Sequence, residues 1–178
     1  IISDQSIPEF KIIKKIALRK KLRLHSISNN SNNFQILTHN FKGESQLLKI
    51  KYKNLITDVK LNLIGKIQLK NILMSIIAAN NSKLSLNKIL NVIPKIKPIE
   101  GRLEKIGNIK NKSKVILDYA YTSEALKMSL LNLREQFPNK KIILLFGCGG
   151  NRDQNKRSKM GEIASSYSDE IYLTDDNP

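Results

Sequence analysis

Two hydrophobic periods alternate along this chain and divide it. From residue 11 the string "KIIKKIALRKKLRL" places apolar residues at 12, 13, 16, 17 and 18, then at 22 and 24. That spacing is helical, so residues 9–24 are predicted as an amphipathic helix with a solvated basic face. "NNSNN" (29–33) is a polar turn. "NFQILTHNF", "SQLLKIKY" and "LITDVKLNLIG" read as three strands, with turns at Gly43 and at Lys53-Asn54. Their short connections predict an antiparallel meander. From Gly65 the period changes. "KNILMSIIAANN" is apolar at 72, 73, 76, 77 and 79 and predicts a largely buried helix. "LSLNKILNVIPKI" predicts a shorter helix that Ser85 can cap and Pro94 ends.

The segment "IKPIEGRLEKIG" carries a proline, two glycines and mixed charges between two kinds of pattern. It predicts a domain boundary near Ile99 to Gly101, giving units 1–99 and 100–178. Beyond it the order is strand, helix, strand, helix, strand. "SKVILDYA" is strand-like, and "SEALKMSLLNLREQF" is a helix with Glu124 in its first turn and Pro138 just past its end. "KKIILLFG" is a continuous apolar run, as expected of a strand covered on both faces of a parallel sheet. "RSKMGEIASSYS" is a helix and "EIYLTDD" a strand. The alternation predicts an α/β layer with right-handed crossovers.

In such a sheet, ligands sit beyond the carboxyl ends of the strands. Three polar segments occupy those ends: "DYAYTSE", "GCGGNRD" and "TDDNP". They are expected along one rim of one sheet. The glycines let the chain turn sharply and let a ligand approach the backbone. Arg152 can then present its planar fork of donors to a carboxylate or phosphate. Asp176 and Asn177 can accept from an ammonium group. A rim offering both signs suits a zwitterion.

Composition changes this picture little. With 178 residues and 40% hydrophobic content, the chain can bury a core. No apolar run approaches the roughly 18 residues that a membrane-spanning helix needs. "IISDQSIPEF" has neither the basic leader nor the apolar segment of a signal peptide. One cysteine excludes an internal disulfide and a cysteine-based zinc cage, and fits a reducing cytoplasm. The net charge of +16 is mostly lysine spread along the chain, without the clustered arginines and interleaved aromatics of a nucleic-acid reader. A basic nucleic-acid-binding module therefore stays the remote alternative.

Several candidates also have plain structural readings. The glycine cluster matches neither GxxxxGK[ST] nor GxGxxG, so it is a tight turn or a binding turn. Asp118 could cap a turn, Arg102 could form an inter-domain ion pair, and Asn71 could cap a helix. His25 and His39 lack acidic or cysteine partners at useful spacing and are expected on the surface, with no metal ligand among them. Cys148 reads as a small residue in a turn.

Together the strings "GRLE", "LDYAYTSEAL", "LLFGCGGNRDQNKRSKMGEIA" and "TDDNP" resemble, in this order and spacing, the Mur ligases, closest to the MurE-type branch. "LIGKIQLKNILMSIIAA" resembles the Gly-x-x-Asn-x-x-Asn helix of the family's central domain, and "IISD" its strand-Asp segment. The resemblance implies an α/β chain. The end of a central ATPase domain, with antiparallel strands and helices, is followed by the first half of a Rossmann-like ligase domain with a parallel sheet. It implies ATP-dependent amide ligation: addition of meso-diaminopimelate or L-lysine to UDP-N-acetylmuramoyl-L-alanyl-D-glutamate through an acyl phosphate, in peptidoglycan synthesis.

Residue by residue, Asn71 resembles the asparagine near adenine, Arg102 the arginine reaching the nucleotide, and Asp118 the aspartate at the ribose. Tyr121 stands where the family carries a histidine, and Ser123 where it carries proline. Gln68 and Asn151 also depart from the usual residues. Arg152 resembles the arginine holding the incoming amino acid, and Asp176, Asn177 and Pro178 open the amino-acid selectivity motif. The family's phosphate loop, magnesium ligands and carboxylated lysine would lie upstream of Ile1, so no catalytic residue or metal ligand is expected within this stretch. It is expected to be an inactive piece of a monomeric cytoplasmic enzyme using ATP and Mg2+. Another Mur ligase or a folylpolyglutamate-type ligase is the nearer alternative.

Overall fold

The computed structural model describes residues 1–28, 34–52, 54–149 and 154–175. The chain splits into two compact units, Ile1–Lys97 and Pro98–Pro178. The first holds β1 (Ile2–Asp4), α1 (Phe10–Arg19), β2 (His25–Ser28), β3 (Phe34–Lys42), β4 (Ser45–Tyr52), β5 (Leu55–Leu61), α2 (Lys66–Asn81) and α3 (Leu86–Val92). Its sheet has the order β1-β2-β3-β4-β5. The β1/β2 and β2/β3 pairs are parallel, whereas β3, β4 and β5 form the expected antiparallel meander.

Strand β4 shows why one face is covered. Gln46, Leu48, Ile50 and Tyr52 point inward, while Lys49 and Lys51 point out. Onto that face α2 lays Leu69, Leu73, Ile76 and Ile77, spaced i, i+4, i+7 and i+8. Each such leucine or isoleucine contributes about 1.5–3 kcal/mol by leaving water. Helix α1 is shorter than its pattern suggested. It stops at Arg19, and Lys21 takes φ +52 while Leu22 N–H bonds Ala17 O at 2.8 Å, a left-handed closure made without glycine. Residues 25–28, assigned to no element by the sequence pattern, form β2. Lys53 and "NNSNN" lie outside the described residues.

The second unit holds β6 (Glu104–Asn108), β7 (Lys114–Leu117), α4 (Ser123–Gln136), β8 (Ile143–Phe146), α5 (Asn155–Tyr167) and β9 (Glu170–Leu173). Here the single three-stranded sheet needs revision. Among the described residues, β7 pairs antiparallel with β6, a strand read from the sequence only as a boundary, and β8 pairs parallel with β9 in a separate ladder. Strand β8 is not covered on both faces either. Leu144 and Phe146 pack against Leu126 and Leu130 of α4 and Met160 of α5, but Leu145 is 68% exposed. Both helices contribute to one cluster, so this part is two layers rather than three.

Candidate functional site

Three strand ends come together in the second unit. Parallel pairing of Phe146 with Leu173 brings the carboxyl ends of β8 and β9 level, and Thr174 N–H bonds Phe146 O at 3.1 Å. The segment after β7 joins them. Ala120 packs against the cluster that includes Phe146 and Cys148, and Lys156 Nζ donates to the carbonyl of Tyr121 at 3.1 Å. The "DYAYTSE" segment, residues 147–149 and the start of "TDDNP" therefore share one neighbourhood, although among the described residues no ladder joins β7 and β8. Thr122 closes the first turn of α4 by accepting from Ala125 N–H at 3.2 Å. Tyr121 beside it is 72% exposed.

Asp118 is not idle. Its Oδ2 accepts from Leu103 N–H at 2.9 Å. Gly101 N–H donates to Glu104 Oε2 at 2.9 Å, and Tyr119 N–H to Gly101 O at 2.8 Å. Arg102 sits exposed between Gly101 at φ +64 and Leu103 at φ +47. "GRLE" and "DYA", which sequence spacing treats as separate strings, thus form one knot. Arg152, Asp176, Asn177 and Pro178 lie outside the described residues.

In the first unit Asn71 is exposed on α2. The start of that helix is fixed by two devices the sequence reading missed. Gln46 has 0% exposure; its Nε2 donates to Leu63 O at 2.9 Å and Gly65 O at 3.0 Å, and its Oε1 accepts from His39 Nε2 at 2.9 Å. A glutamine at an inward position of an alternating strand was the available signal. Asp4, at the end of β1, ion-pairs with Lys70 at 2.6 Å, one residue before Asn71. His39 is therefore half-buried and engaged rather than a surface residue, and His25 is half-buried too. Ser85 occupies its helix's cap position without a side-chain bond. A cavity of about 380 Å³, lined by Tyr52, Asn54, Leu55, Asn80 and Leu86, gathers none of the predicted residues.

Charge at the two ends of the β8–β9 ladder differs. At the amino end Arg134 pairs with Asp169 at 2.8 Å and Lys141 with Glu170. Ile142 N–H, then Arg134, hold the Asp169 carboxyl below its ordinary range. At the carboxyl end Lys156 meets a carbonyl instead of an acid. Among the described residues no group of three His, Cys, Asp or Glu side chains could hold a metal ion. No described helix is long and apolar enough to cross a membrane.

The family profile "Mur ligase, glutamate ligase domain" matches residues 101–178. A UDP-N-acetylmuramoyl-L-alanyl-D-glutamate–2,6-diaminopimelate ligase of Rickettsia bellii is 32% identical over 178 residues, 99% of this chain and 36% of the relative. The chain belongs to the Mur ligases. A ligase of the same name from Buchnera aphidicola is 45% identical over 116 residues, 65% of this chain and 23% of its own length. The solved structure of a ligase of that name shares the fold, with TM-score 0.68 at 24% identity, covering 99% of this chain and 37% of the other. The chain spans about a third of the length of the curated Mur ligases it matches.

Proposed function

We propose that this chain is part of an ATP-dependent amide ligase that adds a diamino acid, diaminopimelate or lysine, to UDP-N-acetylmuramoyl-L-alanyl-D-glutamate. The observation that carries this reading is the match, across essentially all of the chain, to a relative named for that reaction. In this reading residues 1–99 are the rear of the central nucleotide-binding domain and residues 100–178 the front of the ligase domain. The division into compact units at Lys97 and Pro98 supports it.

Asn71 contacts adenine, Asp118 the ribose and Arg102 the nucleotide. Tyr121 takes the family's histidine position and offers a neutral hydroxyl to the nucleotide. Arg152 holds the incoming amino acid, with Asp176, Asn177 and Pro178 shaping its far end. ATP transfers its terminal phosphoryl group to the dipeptide carboxylate, giving ADP and an acyl phosphate. The new amine attacks the acyl carbon, loses a proton, and the tetrahedral intermediate expels phosphate. Magnesium supplies charge neutralisation on the phosphoryl group when bound. This chain's residues contribute binding and orientation, which make the attack effectively intramolecular. A cytoplasmic, monomeric enzyme belongs to the same reading.

The test is a chimaera in which residues 1–178 replace the matching third of the Rickettsia bellii relative. ADP release should require both the UDP-dipeptide and a diamino acid. A folded chimaera that releases ADP only with a folate and glutamate would move the assignment to the neighbouring ligase class. Within an active chimaera, Arg152→Ala should raise the amino-acid KM far more than the ATP KM. Equal rises would remove the role given to Arg152.

A further inference from the structure

We propose that Asp118 is a positioning residue for Arg102: its carboxylate holds shut the left-handed turn from which Arg102 projects. The inference rests on the nucleotide reading above and adds a coupling between two residues treated there as independent contacts.

The turn is costly in itself. Gly101 and Leu103 both have positive φ, at +64 and +47, and the second is not a glycine. A branched L-residue occupies that region only when its surroundings demand it. Leu103 is 3% exposed, so its side chain is anchored, and its N–H finds Asp118 Oδ2 at 2.9 Å. Glu104 accepts from Gly101 N–H on the other side of Arg102. Two carboxylates thus clasp the two backbone donors flanking one arginine. Tyr119, the next residue after Asp118, closes the knot: its N–H reaches Gly101 O, and a Cβ at 101 would meet its ring at 2.2 Å. Register pairing of Glu104 with Leu117 brings these partners across the β6–β7 ladder.

Arg102 therefore has little freedom in where its side chain starts. The direction of its Cα–Cβ bond is fixed by φ at 101 and 103, and those values persist because Asp118 and Glu104 persist. One oxygen of Asp118 faces inward on Leu103 N–H, which leaves the other for a ligand hydroxyl. One carboxylate then serves both the ribose and the placement of the guanidinium. Loss of Asp118 misplaces Arg102 as well as removing a contact.

Two measurements decide this. The first needs no nucleotide: amide hydrogen exchange at Leu103 in the 178-residue chain. Asp118→Ala should accelerate exchange by about tenfold or more, the effect of losing a bond to a charged acceptor. Asp118→Asn, which still offers an acceptor oxygen, should stay within about threefold of the wild type. Unchanged exchange in Asp118→Ala overturns the proposal; if that variant does not fold, exchange in Asp118→Asn more than about tenfold faster than in the wild type does so. The second is a double-mutant cycle on the ATP KM in the chimaera, with Arg102→Ala, Asp118→Ala and the pair. Positioning predicts that Arg102→Ala adds less than about twofold once Asp118 is gone, although alone it costs tenfold or more. Independent factors that multiply, or an Arg102→Ala that costs nothing alone, overturn it. A folded chimaera without ATP-dependent activity would count against the ligase reading, while the exchange measurement would still decide the role of Asp118.

Discussion

Asp4 offers the sharpest test of how the first unit is held together. It is 7% exposed at the end of β1. Its Oδ1 accepts from Ser6 N–H at 2.8 Å, and its Oδ2 from Ser6 Oγ at 2.8 Å and from Lys70 at 2.6 Å. Two neutral donors at about 1 kcal/mol each and one charged donor at about 1.5–3 kcal/mol set the upper bound. The Lys70 side chain is 33% exposed, so without Asp4 it turns to water instead of staying buried and unpaired. That discount brings Asp4→Ala to about 2–3 kcal/mol and Asp4→Asn, which keeps an acceptor for Ser6, to about 1–1.5 kcal/mol. For a unit of this size each kcal/mol lowers Tm by about 4–8 °C. The pH dependence has a definite sign. Burial alone would push the carboxyl up, but Lys70 and the two Ser6 donors outweigh it and hold the pKa below its ordinary value. A depressed carboxylate stabilises the fold above its unfolded pKa of about 3.9, and loses that contribution as pH falls through the folded value. Thermal unfolding followed by far-ultraviolet circular dichroism should show wild type and Asp4→Asn separated at pH 7 and converging toward pH 3. An equal gap at both pH values, or no gap at pH 7, would refute the reasoning.

Two further outcomes follow from buried polar geometry. Gln46→Leu leaves the carbonyl of Leu63 without its donor, and that of Gly65 with Gln68 N–H alone, and should cost about 1–3 kcal/mol in urea unfolding; a loss below about 0.5 kcal/mol would mean water replaces it. Gly101→Ala combines left-handed strain with the Tyr119 contact and should cost about 1–3 kcal/mol, with Tyr119→Ala partly relieving it; strictly additive losses would show that the ring does not press on position 101.

The fold was legible where one period ran long enough. The meander from Phe34 to Leu61 and helices α2 and α4 carry clean alternation or helical spacing, and the structure places them there. It was illegible where a strand is short. Residues 25–28 carry a single apolar residue, Ile27, and so show no period of their own, and residues 104–108 look like linker because Gly107 and two charges interrupt the pattern; both strands exist because a partner strand is present. Candidate residues came mainly from resemblance. What spacing could not show is the pairing between distant strings: Leu103 with Asp118, Gln46 with Gly65 and Asp4 with Lys70 are separated by 15, 19 and 66 positions.

A chain with a net charge of +16 need not be attractive to anions everywhere, and the second unit shows how the excess is placed. At the amino end of the β8–β9 ladder the cations of Arg134 and Lys141 are matched by Asp169 and Glu170, so that end is close to neutral and anchors the ladder. At the carboxyl end Lys156 is tied to a backbone carbonyl, which orients it without cancelling its charge. Exposed ion pairs add little stability. Their effect here is to match Arg134 and Lys141 at one end of the ladder while Lys156 keeps its charge at the other. On the ligase reading proposed above, an anionic substrate approaching that end of the ladder would meet the Lys156 charge, and the charge-matched opposite end would not compete for it.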